Sequence, residues 1–273
     1  MLLGLGYLDS IDHYDSGSVA PMPIVISVHS YRGGTGKSNF TANLAATLAL
    51  GGQRVAMVDT DVPSPGIHNL FSLEPEQMDK TLNTYLWGES AIEDAAYDVG
   101  AGLGVTAPGQ LFLVPASIKA DNIARILKDG YDVRRLNDGF RSLVKSLNLD
   151  YLLIDTHPGL SKETFLSIAI SHFLLLILRP DKQDYQGTAV VVDVARQLKT
   201  RRMLLALNKV HPQLNVEALK TKVEETYGET VAGVFPLSER FVQLASEGVF
   251  CVRYPDHPIS AEFRRVAQQL REV

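Results

Sequence analysis

Seven consecutive residues carry the first chemistry in this chain: Arg32-Gly33-Gly34-Thr35-Gly36-Lys37-Ser38. Glycines at this density let backbone N–H groups close around an anion, because no Cβ holds the chain away. Where a helix starts as the glycines end, its unpaired first amides join the same cradle. Lys37 then reaches the β- and γ-phosphates of a nucleotide, and the Ser38 hydroxyl ligates Mg²⁺. Thr35 and Asn39 flank these groups. A strict phosphate-loop pattern asks for glycine six residues before the lysine, and that position holds Tyr31. A glycine turn with no ligand is the alternative reading.

Mg²⁺ and an attacking water also need carboxylates. Asp59 and Asp61 close the run QRVAMVDTD, and Asp155 closes YLLID. Ligands of open α/β sheets sit beyond the carboxyl ends of the strands, where all three acids fall. Asp155 is read as the acid of the magnesium shell, acting through water. Asp61 is read as the group that orients or activates the attacking water. Asp59 is read as structural, holding the loop. Each could also be no more than a solvated strand end.

These groups need a frame. Pro23–Ser30 reads as a strand, the segment from Asn39 as a helix, and QRVAMVDTD as a second strand. Strand, glycine loop, helix and strand make a βαβ unit, which implies a parallel sheet with helices on its faces. Residues 62–110 read as loop and short helix. Leu111–Val114, the run from Tyr151, Phe173–Pro180, Met203–Val210 and Val231–Phe235 are apolar enough for buried strands. Helices are expected over about 117–127, 131–147, 186–198, 214–227, 238–247 and 260–272.

Bulk properties narrow the function classes. The 273 residues suffice for one large α/β domain, and we expect one over 23–273. A net charge of −5 argues against nucleic-acid binding through bulk field, although a local patch is still open. The one cysteine, Cys251, makes neither an intramolecular disulfide nor a metal cluster by itself. No window is apolar enough for a membrane span, and a cytoplasmic protein is expected. Residues 1–22 lack a basic start and carry Asp9, Asp12 and Asp15; they read as a disordered leader rather than a signal peptide.

Taken together, several stretches resemble the MinD/ParA group of ATPases with a deviant Walker A loop. RGGTGKS is similar to the group's KGGxGK[ST]; VDTDVPSPGIHNLFSL resembles its first switch; LDYLLIDTHPGL resembles its Walker B and second switch; LALNKV and VAGVFPLSE resemble its base-binding segments. The resemblance implies a three-layer P-loop NTPase fold, with a mostly parallel central sheet and helices on both faces. It implies ATP and Mg²⁺ as cofactors. It also implies roles for Asp61 as the catalytic aspartate, Gly159 as the γ-phosphate sensor, Asn208 as the reader of the adenine edge and Pro236 beside the base.

Three departures stand out. Arg32 replaces the signature lysine, which in the group reaches the partner's phosphates across an ATP-dependent dimer. A guanidinium could do the same as an arginine finger, or point to the surface; Asp181 and Asp184 are candidate partners for it. Asn39 replaces a hydroxyl residue but can still donate a hydrogen bond. His157 stands where proline is common and reads as a local loop variation.

The group implies a homodimer that positions a cargo and works with a further protein, DNA or a membrane. Lys199, Arg201 and Arg202, with Arg196 near, could bind DNA nonspecifically or form a solvated turn. The stripe Ile259, Phe263, Val266, Ala267 and Leu270 suits either a membrane-surface helix or one packed on the sheet. The segment around Trp87 reads as a partner face or as helices buried on the sheet. A metabolic ATP-dependent enzyme and a non-hydrolysing interaction protein remain the alternative functions.

Overall fold

The computed structural model describes residues 22–271. The leader expected over 1–22 therefore lies, but for Met22, outside the described residues. Eight strands form one sheet: β1 (Ile24–His29), β2 (Arg54–Asp59), β3 (Tyr97–Asp98), β4 (Gln110–Val114), β5 (Tyr151–Asp155), β6 (Phe173–Leu178), β7 (Arg202–Val210) and β8 (Thr230–Pro236). Their spatial order is β3-β4-β2-β5-β1-β6-β7-β8. All pairings are parallel except β3 with β4. The central strands read as unbroken apolar runs because helices cover both faces. Thus β6, FLLLIL, is buried at all six positions.

The two-residue period of a strand sorts these side chains between two cores. Ile26, Val28, Met57, Leu153 and Leu175 face one way. They meet α1 (Lys37–Leu50), α9 (Phe250–Arg253) and α10 (Pro258–Gln269), with α8 (Glu239–Leu244) packed at the margin. Val25, Val58, Leu152 and Ile154 face the other way, toward α2 (Leu82–Leu86), α3 (Ala120–Asp129) and α4 (Val133–Ser146). Leu174, Leu176 and Leu205 share that face with α5 (Lys162–Ile170), α6 (Lys182–Gln197) and α7 (Val216–Tyr227). The result is the P-loop NTPase architecture.

The departures from the sequence reading are local. Helix α5 was not expected, yet two parallel strands, β5 and β6, flank it, and a parallel connection needs a crossover. Ser161 caps it by accepting from the Thr164 amide. The short antiparallel β3 was also missed, since two residues carry no period. The stripe of α10 is buried, from 0% exposure at Val266 to 4% at Ala267, against β8 and α1. Packing, not a lipid surface, holds that stripe in this structure. Around Trp87, Leu82 and Leu86 are buried on the sheet, while the Arg125 guanidinium stacks 3.9 Å over the indole. No helix among the described residues is long and apolar enough to cross a membrane.

A candidate nucleotide site at the carboxyl ends of three adjacent strands

Strands β1, β5 and β2 lie side by side and end together, with Asp59 in register with Asp155. The glycine loop leaves β1 at Ser30 and enters α1 at Lys37. Gly34 (φ 77°) and Gly36 (φ 97°) are left-handed, a conformation that costs other residues about 1 kcal/mol or more. Gly36 has a second constraint: a Cβ there would lie 2.6 Å from Asn208 Nδ2. No side chain caps the start of the 14-residue α1, and no acid occupies its first turn. Its first amides are thus left for a ligand, and an anion suits them.

Lys37 is buried beside Asp155. The Ser38 hydroxyl donates to Asp155 Oδ2 at 2.6 Å, and the Thr41 hydroxyl lies 3.2 Å from Oδ1. Burial pushes the Asp155 carboxyl above its usual range, while Lys37 and the Ser38 hydrogen bond pull it back. A buried acid so incompletely neutralised is suited to a cation. A serine hydroxyl and a carboxylate are hard oxygen donors, which fit Mg²⁺. Among the described residues no three acidic, imidazole or thiol side chains form a metal cage. That is compatible with Mg²⁺ in a phosphate site, where water and phosphate supply most ligands. Thr41 was absent from the sequence reading; its position three residues after Ser38, one helical turn on, was the available signal.

Asp59 holds the next loop, accepting from the amides of Asp61 at 3.0 Å and Gly66 at 3.2 Å. Burial, with the Asp155 charge adding to it, lifts the Asp59 carboxyl to about 8. The loop so pinned carries Asp61, whose Oδ1 lies 2.7 Å from His157 Nδ1. His157 is therefore more than a loop variation. Gly159 (φ 83°) is left-handed as well, and its amide donates to Ser30 O at 3.2 Å, laying the loop after β5 along the glycine loop. Gly33 abuts the same loop, with a Cβ there 3.9 Å from Pro158. His29 ends β1 fully buried, its Nδ1 2.6 Å from the Thr156 hydroxyl. Burial, and then Lys37, depress the His29 imidazole to about 3, so it is neutral.

Asn208, near the end of β7, donates from Nδ2 to Thr35 O at 2.7 Å and accepts at Oδ1 from the Lys209 amide. Lys209 Nζ donates to Gly34 O at 2.8 Å, a second brace that the sequence reading missed. A cavity of about 260 Å³ opens here, lined by Gly36, Asn39, Asn208, Pro236 and Phe241. The side chains expected near a base are thereby brought to one cavity beside the start of α1. The Thr35 hydroxyl is buried without a partner. Arg32 points instead to the start of α6, 3.6 Å from Asp184 and 3.8 Å from Asp181. Arg179 holds Asp184 more closely, with Nε at 3.0 Å from Oδ2.

The cluster at Arg196 to Arg202 lies away from this site. Arg202 begins β7, at the amino end of the strands, and Arg196 pairs with Glu229 at 2.9 Å.

Several known proteins resemble this chain in sequence or fold. An uncharacterized ATP-binding protein of Methanocaldococcus jannaschii is 27% identical over 256 residues, covering 92% of this chain and 89% of that one. An iron-sulfur cluster carrier protein of Saccharolobus solfataricus is 26% identical over 275 residues, covering 91% of this chain and 83% of that one. The MinD cell division protein of Aquifex aeolicus superposes with a TM-score of 0.75 at 21% identity, covering 92% of this chain and 98% of that one, which establishes the shared fold. Residues 26–250 match the model of the CobQ/CobB/MinD/ParA nucleotide binding domain. The match spans most of the chain, and this chain belongs to the CobQ/CobB/MinD/ParA nucleotide-binding family.

Proposed function

We propose that residues 23–273 act as one ATP-binding and slowly hydrolysing switch, gated by dimerisation, that positions a cellular cargo in the cytoplasm. The observation that carries this reading is the Ser38–Asp155 hydrogen bond beside an uncapped helix start. Gly33, Gly34, Thr35, Gly36, Lys37, Ser38 and Asn39 would hold the phosphates of ATP. Mg²⁺ would take Ser38 directly and Asp155 through water. Asn208 and Pro236 would flank the base, Gly159 would sense the γ-phosphate, and Asp61 would orient the attacking water. Bound Mg²⁺ supplies charge neutralisation on the transferring phosphoryl group.

Arg32 is the gate in this reading. Its contacts to Asp181 and Asp184 exceed 3.5 Å, and its side chain is 40% exposed. A surface ion pair this loose is worth at most about 1 kcal/mol and is easily exchanged for a phosphate in a partner. Fe–S carriage, suggested by several relatives, finds no support in Cys251, which is buried against Asn43 and has its thiol pushed up to about 11 by burial.

The test is sedimentation of wild type and Arg32→Ala with and without Mg-ATP, alongside phosphate release. ATP-dependent dimers in wild type but not in Arg32→Ala are expected. Equal dimerisation refutes the role of Arg32. Binding without turnover refutes the hydrolase reading and favours a nucleotide-dependent interaction protein. Stimulation of turnover by a protein, DNA or lipid vesicles identifies the partner class; stimulation by a small metabolite favours a metabolic enzyme.

A further inference from the structure

The contact between Asp61 and His157 joins residues 96 apart in sequence. It spans the loops that follow β2 and β5, which are neighbouring strands. We propose that His157 is a positioning residue for hydrolysis, its Nδ1–H holding the Asp61 carboxylate in the orientation that receives the attacking water. This inference rests on the ATPase reading above.

The argument starts from what already fixes each partner. The Asp61 backbone is set: its amide donates to Asp59, and its carbonyl accepts from the Ser64 amide at 3.0 Å. Thr60, just before it, is tied to the Asp155 carbonyl by both its amide and its hydroxyl. What remains free is the side chain, two torsions that sweep the carboxylate through several rotamers. A hydrogen bond to one oxygen removes that freedom and leaves the other oxygen to accept from water.

His157 can act as a support because its own loop is pinned on both sides. Thr156 donates from its hydroxyl to Val28 O at 3.0 Å and lies against His29. Gly159, two residues beyond, donates to Ser30 O. The backbone that carries the imidazole is thus anchored to β1 and to the start of the glycine loop, and the ring's bond links that anchored segment to Asp61. A carboxylate oxygen only accepts, so Nδ1 is the protonated nitrogen in this contact. Proline or alanine at 157 would have no side-chain donor, and Asp61 would then depend on its own rotamer preference.

The donor, not the ring, is the functional element. Asparagine places an amide N–H where His157 has Nδ1, whereas alanine offers nothing. The experiment compares the full chain with His157→Asn, His157→Ala and Asp61→Ala. It measures kcat and KM for ATP, affinity for a nonhydrolysable ATP analogue with Mg²⁺, and the ¹H–¹⁵N signals of the His157 ring. We expect kcat to fall roughly tenfold in His157→Ala with KM and analogue affinity within about twofold of wild type. His157→Asn should recover most of the rate. The ring should show a protonated Nδ1 whose signal shifts in Asp61→Ala.

Wild-type turnover in His157→Ala overturns the proposal, as does His157→Asn being as slow as His157→Ala, or an unprotonated Nδ1. These outcomes leave the ATPase reading standing. A wild-type chain that binds nucleotide without turnover overturns both, and is distinguished by the absent rate in the parent.

Discussion

The ring of Tyr31 occupies the space in which a side chain at Gly187 would begin. Tyr31 stands where the strict phosphate-loop pattern has its first glycine, and Gly187 sits inside α6. The helix gives up a side chain so that the loop can dock on it. Arg32, next in sequence, reaches Asp181 and Asp184 at the start of the same helix. Tyr31 is therefore docked tightly on α6, while Arg32 meets the start of that helix only through loose ion pairs.

Replacing Gly187 by valine should dislodge Tyr31 and weaken Mg-ATP binding by roughly tenfold, about 1.4 kcal/mol. Gly187→Val with Tyr31→Gly should bind more tightly than Gly187→Val alone. Calorimetric titration of the three proteins decides it, because a helix-propensity effect would not be reversed by the second change.

Ser38→Ala removes the donor at Asp155 Oδ2 and a proposed metal ligand. The Mg²⁺ concentration that half-saturates ATP hydrolysis should rise at least about tenfold. Thr41→Ala removes the longer bond at Oδ1 and should change it by about threefold or less. Similar shifts in both variants would assign the pair to simple support of the carboxylate.

Asn208→Ala should both free the Thr35 carbonyl and blunt discrimination between ATP and GTP. A site that hydrogen-bonds a substrate edge loses selectivity when that group is removed. Competition between the two nucleotides for the variant and for wild type measures this, with unchanged selectivity counting against a base-reading role.

Stability should depend on pH through three buried groups, two carboxyls and one imidazole. Asp59, raised to about 8, and Asp155, also raised, bind protons more tightly folded than unfolded. Their contribution is whole below the ordinary carboxylate range and is lost as pH rises toward about 8. His29, depressed from 6.5 to about 3, behaves oppositely: its contribution is whole above 6.5 and is lost as pH falls. The two trends oppose one another through mildly acid pH. Above 6.5 only the carboxyls still change, so Tm of the nucleotide-free protein should fall between pH 6.5 and pH 8. Thermal unfolding of Asp59→Asn should show a flatter profile over that window.

Phe40, Phe235 and Phe263 pack with ring centroids 4.7–5.0 Å apart beneath the cavity lined by Asn208 and Pro236. Phe263→Ala should destabilise the protein by about 3–5 kcal/mol, read from denaturant unfolding. A loss below about 1 kcal/mol would mean that α10 is not anchored there.

What the sequence made legible was what lies close together in it. Glycines, lysine and serine within seven residues signalled a phosphate loop, and unbroken runs such as that of β6 signalled buried strands. The proximity of Arg32 to Asp181 and Asp184 was also readable, because family resemblance placed those segments near one face. Helix α5 was less so: of its apolar residues only Ile168 is fully buried, and Phe165 is exposed, so it lacks a clean stripe. The Ser161 cap and the need for a crossover could have revealed it. The His157–Asp61 pair and the Lys209 brace were beyond sequence reasoning. Each depends on how two loops from distant parts of the chain are aimed, which side-chain types alone do not specify.

Strand β5 lies between β1 and β2, although β1 and β2 are joined by a single helix. During synthesis, the phosphate loop and the Asp61 loop are therefore made on either side of a vacant slot. That slot is filled only after residues 151–155 leave the ribosome, about a hundred residues after Asp59. No amino-terminal fragment that ends before Asp155 can place that acid against Ser38. Such long-range pairing delays the closing step of folding. If the site binds ATP as proposed, nucleotide would engage only chains whose central strand is in place.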